Sequence, residues 1–193
     1  MNTLYNGFIS GGWLLVLNVV IDGSSTPPQL SVVTSLRGII NYHNKRMVVT
    51  KSAMNELRTR LAFTQLRFHC SKQQGRTFHV TTSANSSGEA VVQYFSSQTD
   101  DMPASCGSFV RMENDNSMLA QVCNQWGLQN GVFKVGKWSA DYFEATGEQR
   151  LYNHAAFAEA SYHWILGAYS SRWECDDLEV GVSPGDFWKV FVR

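Results

Sequence analysis

Four cysteines, Cys70, Cys106, Cys123 and Cys175, with no C-x-x-C pair among them, constrain this chain more than any other feature. An even count without metal-ligand spacing fits two disulfides better than a metal cluster, and disulfides persist in oxidising compartments. The triplet Asn85-Ser86-Ser87 is an acceptor for N-glycosylation, a modification confined to the secretory pathway. Together they place the protein outside the cell. Cys106 and Cys123 are the expected short-loop pair, because their contact needs little chain closure. That leaves Cys70 with Cys175, whose long loop restricts the unfolded chain more and adds about 4 kcal/mol if unstrained.

Composition allows one domain. At 193 residues, 44% hydrophobic and 17% charged, the chain can bury a single core, and no linker, repeat or low-complexity tract divides it. Sixteen basic residues cancel sixteen acidic ones. Zero net charge removes long-range attraction to polyanions, so nucleic acid is not an expected partner. Met1 to Ile9 has no basic n-region or long apolar run, so Met1 reads as the start of a mature chain. The apolar run Trp13 to Ile21 is interrupted by Asn18 and is too short for a membrane-spanning helix of about 20 residues. It reads as a buried strand, and membrane insertion is not expected.

Pattern along the chain predicts an α+β domain, mainly antiparallel sheet with a few short helices. Gly11 to Ile21 is a central strand closed by Asp22-Gly23. Lys51 to Phe63 is a helix with Ser52 as N-cap, since Ala53, Met54, Leu57 and Leu61 recur at helical spacing. Gln65 to Cys70, Arg76 to Thr81 and Glu89 to Phe95 alternate and are expected to form a meander. A shorter helix is expected after Asn116, stopping at Trp126-Gly127. Beyond it the chain reads as loop-rich, with short strands near Gly131 to Trp138, Tyr162 to Leu166 and Phe187 to Val192.

Three segments resemble the fibrinogen-like domain of ficolin- and tachylectin-type lectins. They are Gly11-Gly12-Trp13 with its strand and Asp22-Gly23; Val49-Thr50 through Leu57-Arg58 to Leu66-Arg67 and Gly75; and Asn114-Asp115-Asn116, Cys123, Trp126-Gly127 and Asn130-Gly131-Val132-Phe133. The resemblance covers about the first two-thirds and implies a calcium loop at the third segment running into a lectin site at Trp126 and Asn130. The last third, including Arg172-Trp173-Glu174-Cys175-Asp176-Asp177, looks like secreted cnidarian (coral) proteins.

The residues themselves offer two constellations. Asp115 and Asn116, and separately Asp176 and Asp177, bring hard oxygen ligands of the kind Ca²⁺ takes, although acids in such loops also serve as caps and solvated side chains. Tyr152, His154, Tyr162, His163, Trp164 and Trp173 concentrate polar-tipped rings. Such rings either stack on a pyranose or fill a core. With Trp126 and Asn130, the residues Tyr152, His154, His163 and Trp173 form the candidate ligand face. No H-E-x-x-H, nucleophile elbow or phosphate loop is present, and paired cysteines leave no free thiol, so no enzymatic activity is expected. The leading reading is a secreted, non-enzymatic, lectin-like protein that binds glycans or acetylated groups, with Ca²⁺ as cofactor and a homo-oligomer supplying avidity. The alternatives are a carrier of an apolar molecule such as a carotenoid pigment, and a structural matrix protein.

Overall fold

The computed structural model describes residues 8–9, 11–23, 27–138, 147–153, 155–168 and 172–193. The described strands are β1 (Phe8–Ile9), β2 (Trp13–Val20), β3 (Ser31–Val33), β4 (Arg46–Val49), β5 (Leu66–Ser71), β6 (Thr77–Thr82), β7 (Phe109–Arg111), β8 (Leu128–Gln129), β9 (Val132–Phe133), β10 (Ala155–Ala158), β11 (His163–Ala168), β12 (Arg172–Asp177) and β13 (Phe187–Val192). The helices are α1 (Leu36–Ile39), α2 (Lys51–Leu61) and α3 (Ser86–Phe95), with a 3₁₀ segment over Leu119–Gln125.

One sheet has the order β3-β4-β2-β13-β5-β6-β7, with β1 also paired to β2. Only β3 and β4 run parallel within it. A second antiparallel sheet joins β10, β11 and β12, and β8 and β9 form a hairpin. The expectation of an α+β, fibrinogen-like domain with a loop-rich last third is therefore corrected. The chain is mostly β, with 34% strand against 19% helix. Its last third supplies the three strands of the second sheet and the central strand of the first.

A local correction has a clear cause. Glu89 to Phe95, read as the third strand of a meander, is the body of α3. Asn85 accepts from the Gly88 amide at 3.0 Å, capping the helix, and Glu89 sits in the first turn. The buried residues Gly88, Val91, Val92 and Phe95 follow helical spacing, a period hidden by the β-branched pair Val91-Val92. The N-cap of α2 is Thr50, whose hydroxyl accepts from Ala53 N at 3.2 Å, in place of Ser52. After Asn116 a 3₁₀ segment forms instead of an α-helix, and the amides at its start, Met118 N and Leu119 N, donate to the Asp176 carboxylate on β12.

Phe68 of β5 centres the core. Its ring lies 5.2–5.6 Å from those of Phe95, Trp138, Phe157 and Trp164, bringing α3 and the β10–β11 pair onto one face of the large sheet. Trp126, Trp138 and Trp188 are buried with their indole N–H groups spent on Leu119 O, Ser108 Oγ and Glu174 O. Both disulfides have the pairing expected from the sequence: Cys70–Cys175 joins β5 to β12, and Cys106–Cys123 closes the shorter loop. No helix among the described residues is long and apolar enough to cross a membrane.

Gly88 is where α3 meets the end of β6. A Cβ there would stand 1.9 Å from Ser83 O, a backbone atom that cannot swing aside. Gly88→Ala is expected to destabilise the fold by about 1–3 kcal/mol, the usual cost of overpacking, despite alanine's better helix propensity. Urea unfolding checks this; an unchanged or raised midpoint contradicts the packing.

Candidate ligand cavity

A recess of about 500 Å³ opens between the hairpin and the second sheet. Sequence builds its roof. Asn130 and Gly131 both take positive φ, 53° and 77°, which is the two-residue type I′ turn that Asn-Gly favours. Gly127 N donates to Ala158 O at 2.9 Å, and Lys134 N donates to Gly127 O at 2.9 Å, fixing the hairpin base over β10. Leu128 and Phe133 face the recess from the hairpin, while Ala155, Ala158 and Ile165 line it from β10 and β11. Phe133 stays 69% exposed, a large ring held at the rim without a core partner.

The polar end is His163, tied to β12. Its Nδ1 lies 2.5 Å from Glu174 Oε2. The same carboxylate accepts from Arg172 Nε at 2.7 Å, Arg172 Nη2 at 2.9 Å and the Glu179 amide at 2.9 Å. Glu174 is fully buried. Burial opposes its charge, but the hydrogen bonds from His163 and Arg172 outweigh it and hold the carboxyl at a pKa of about 2. The ion is thus present at neutral pH, and a contact of 2.5 Å to it requires a proton between, so Nδ1 is the protonated nitrogen and donates to Glu174. Arg172 Nη2, 3.2 Å from Nδ1, is a neighbour that donates to Glu174 as well. In the neutral ring Nε2 is then an acceptor, available to a ligand's hydroxyl or amide N–H. Arg172 and His163 both line the recess, whereas Glu174 acts beneath them by fixing their orientation.

The predicted ligand residues are not gathered on one face. His163 lines the main cavity, and Asn130 forms the hairpin turn above it. Trp126 and Tyr152 are buried in the core. Trp173 is buried too, with one edge on a second recess of about 360 Å³ beside Pro27, Leu30 and Gly167. His154 lies outside the described residues. The aromatic surplus behind the pigment reading is largely spent on packing, ring against ring, around Phe68 and Trp126.

The acids read as calcium ligands hold the chain's own donors. Asp115 pairs with Arg111 and accepts from His79 N and Ser117 Oγ, and Asn116 accepts from Thr77 N. Asp176 pairs with Arg76 and caps the 3₁₀ segment. Asp177 accepts from Lys72 Nζ at 2.5 Å and from Cys175 N at 2.7 Å. Among the described residues, no group of three or more His, Cys, Asp or Glu side chains is placed to hold a metal ion.

Sequence reading passed over Leu128, Phe133, Ile165 and Arg172. The Asn-Gly dipeptide between Leu128-Gln129 and Val132-Phe133 is the available signal for the hairpin. Nothing local marks Arg172, whose role depends on β11 lying beside β12. No protein family, curated protein or solved structure matches the chain.

Glu174 gives the cavity a pH signature. Its folded pKa lies below its usual 4.5, so its contribution to stability is fully present above about pH 4.5 and is lost as pH falls through about 2. Glu174→Gln is expected to cost about 3–5 kcal/mol at neutral pH, the range for breaking a buried ion pair. The gap between wild type and variant should narrow across that acid window, where subtracting the two curves cancels the other carboxylates. A gap that stays constant from pH 5 to about 2 on denaturant unfolding contradicts the assignment.

Proposed function

We propose that this is a secreted, non-enzymatic recognition protein whose cavity takes a neutral glycan residue, with an acetamido group as its best-fitting substituent. The observation that carries the reading is the pairing of an apolar wall with one oriented imidazole. Leu128, Phe133 and Ile165 offer apolar surface to a methyl group or pyranose face, and the His163 ring, held by Glu174, offers a polar edge for hydrogen bonding to an adjacent hydroxyl or amide. A volume of about 500 Å³ falls within the range of small-ligand sites, and the opening leaves room for a longer chain to continue into solvent. Arg172 is neutralised by Glu174, so the polar end favours uncharged hydroxyl and amide groups. Two disulfides and the exposed sequon support the secreted location.

A glycan array followed by titration with the best acetylated ligand tests the site. His163→Ala should weaken binding about 3- to 10-fold, the worth of one hydrogen bond, and Phe133→Ser should do so by a similar factor. Binding that survives both changes, or an array without a bound glycan, removes the proposal.

Sequon use is separately measurable. Asn85 Oδ1 is engaged in capping α3, while Nδ2, the atom that would carry a sugar, makes no hydrogen bond among the described residues. Cap and glycan are therefore compatible. Protein secreted from a eukaryotic host should carry a glycan mass at Asn85 that disappears in Ser87→Ala and in Asn85→Asp, the latter keeping a capping oxygen and the melting temperature. An unmodified Asn85 in that material counts against the secreted assignment.

A further inference from the structure

The large sheet contains no carboxylate. None of β1 to β7 or β13 includes an Asp or Glu, although the chain has sixteen acidic residues. On the face of this sheet turned away from Phe68, cations collect instead. Lys189 of β13 stands opposite His69 of β5, Arg67 lies two residues along β5, and Arg193 follows the end of β13 beside Gln65. Alternate residues share a face and repeat at about 6.5–7 Å, so Arg67, Lys189 and Arg193 form one cluster.

Each cation is braced by an aromatic ring. The Arg67 and Arg193 guanidiniums lie 4.0 and 4.7 Å from the ring centre of Trp13, and Lys189 Nζ lies 4.9 Å from the centre of the Phe187 phenyl ring. These contacts restrict the side chains without neutralising them. Arg67 donates only Nε to Thr81 and Arg193 only Nη2 to Gln65, both neutral acceptors. None of the three has an ion-pair partner among the described residues. Asp115, which reaches this side at the His79 amide, has a buried carboxylate committed to Arg111, that amide and Ser117.

The like charges act on one another. The stacked pair His69 and His79, 3.8 Å between ring centres, sits within the cluster. Burial first, then His79, Lys189 and Arg67, hold His69 at a pKa of about 3, so the pair is uncharged at neutral pH and the positive field comes from Arg67, Lys189 and Arg193.

We propose that this cationic face, at Arg67, Lys189 and Arg193, binds a sulfated glycan. Guanidinium groups with free edges match the oxygens of a sulfate, and rings already hold them in place. Three cations spaced along neighbouring strands suit an extended chain carrying one anion per unit or two. A bilayer would call for apolar side chains standing proud of the cations, yet the adjoining Trp13, Leu15 and Phe191 are buried. Zero net charge argues only against long-range attraction; the local excess remains within a Debye length of about 10 Å at 0.1 M salt. This site is distinct from the cavity, which draws on the hairpin and β10 to β12, and does not depend on that reading.

The test is titration with dextran sulfate oligosaccharide, with unsulfated dextran as control. Dextran sulfate should bind and dextran should not, with affinity falling steeply as salt rises. Lys189→Gln with Arg193→Gln should weaken binding about 10-fold or more. The charge-matched pair Arg37→Gln with Arg60→Gln, exposed on α1 and α2, should leave it unchanged. By NMR, bound dextran sulfate should raise the pKa of His69, since an anion offsets the cations that depress it. The proposal is overturned if both double variants bind alike, if His69 does not move, or if dextran sulfate fails to bind. Anionic phospholipid vesicles captured through Lys189 and Arg193 without dextran sulfate binding would reassign the face to a membrane. Melting curves of both double variants establish that the fold is retained.

Discussion

Strand β13 is flanked on both sides by partners that cannot reach each other without it. Six residues, Phe187 to Val192, pair with β2 along one edge and with β5 along the other. The inward side chains Trp188, Val190 and Val192 are essentially inaccessible to water, and they sit between Val19, Leu17 and Leu14 on one strand and Cys70, Phe68 and Leu66 on the other. Taking it away would split the large sheet into β1 to β4 and β5 to β7. The Cys70–Cys175 bridge reinforces the same seam, tying the strand beside β13 to the second sheet, while Trp188 donates its indole N–H to Glu174 O.

Buried acids do for the loops what β13 does for the strands. Glu174, Asp176 and Asp186 are nearly or wholly inaccessible, and each gathers backbone amides or cations from distant segments. Asp176 joins Arg76 to the start of the 3₁₀ segment, Asp186 receives the amides of Gln73 and Ser183, and Glu174 orients His163 and Arg172 beside the cavity. A buried carboxylate is tolerated when its lone pairs are filled by donors, and these are. The cavity's polar end is therefore set by the same interactions that organise the second sheet.

How much of this could be read from sequence depended on whether the signal was local. The strand from Trp13, the α2 periodicity and the β5 and β6 alternation follow from patterns within short windows, and the cysteine pairing follows from choosing the shortest loop among the three connectivities that four cysteines allow. The identity of α3 was also local but ambiguous, because Val91-Val92 and Phe95 suit either period until Asn85 is seen as a cap and Gly88 as a close-contact position. The mostly β character of the last third was harder to see. Strands β10 to β12 are short, bulged and interrupted by left-handed residues such as Asp176, and their pairing joins segments without clean alternation. The partners of the acidic runs became visible only in the fold, because sequence lists donors and acceptors without showing which of them meet. His163 was singled out for its chemistry, but its contact with Glu174 required two strands to lie side by side.

The place of β13 in the sheet also has a consequence for synthesis. A ribosome releases β2 and β5 well before β13, so both strands emerge with open edges facing the slot that a later segment must fill. The β5–β6 hairpin can assemble from neighbouring residues, yet the large sheet cannot close until the downstream chain has threaded between its halves. Until then the interval is spent with apolar strand edges uncovered, exposed to pairing with other chains. The time between emergence and closure, as well as the stability of the finished protein, sets the demand on chaperones.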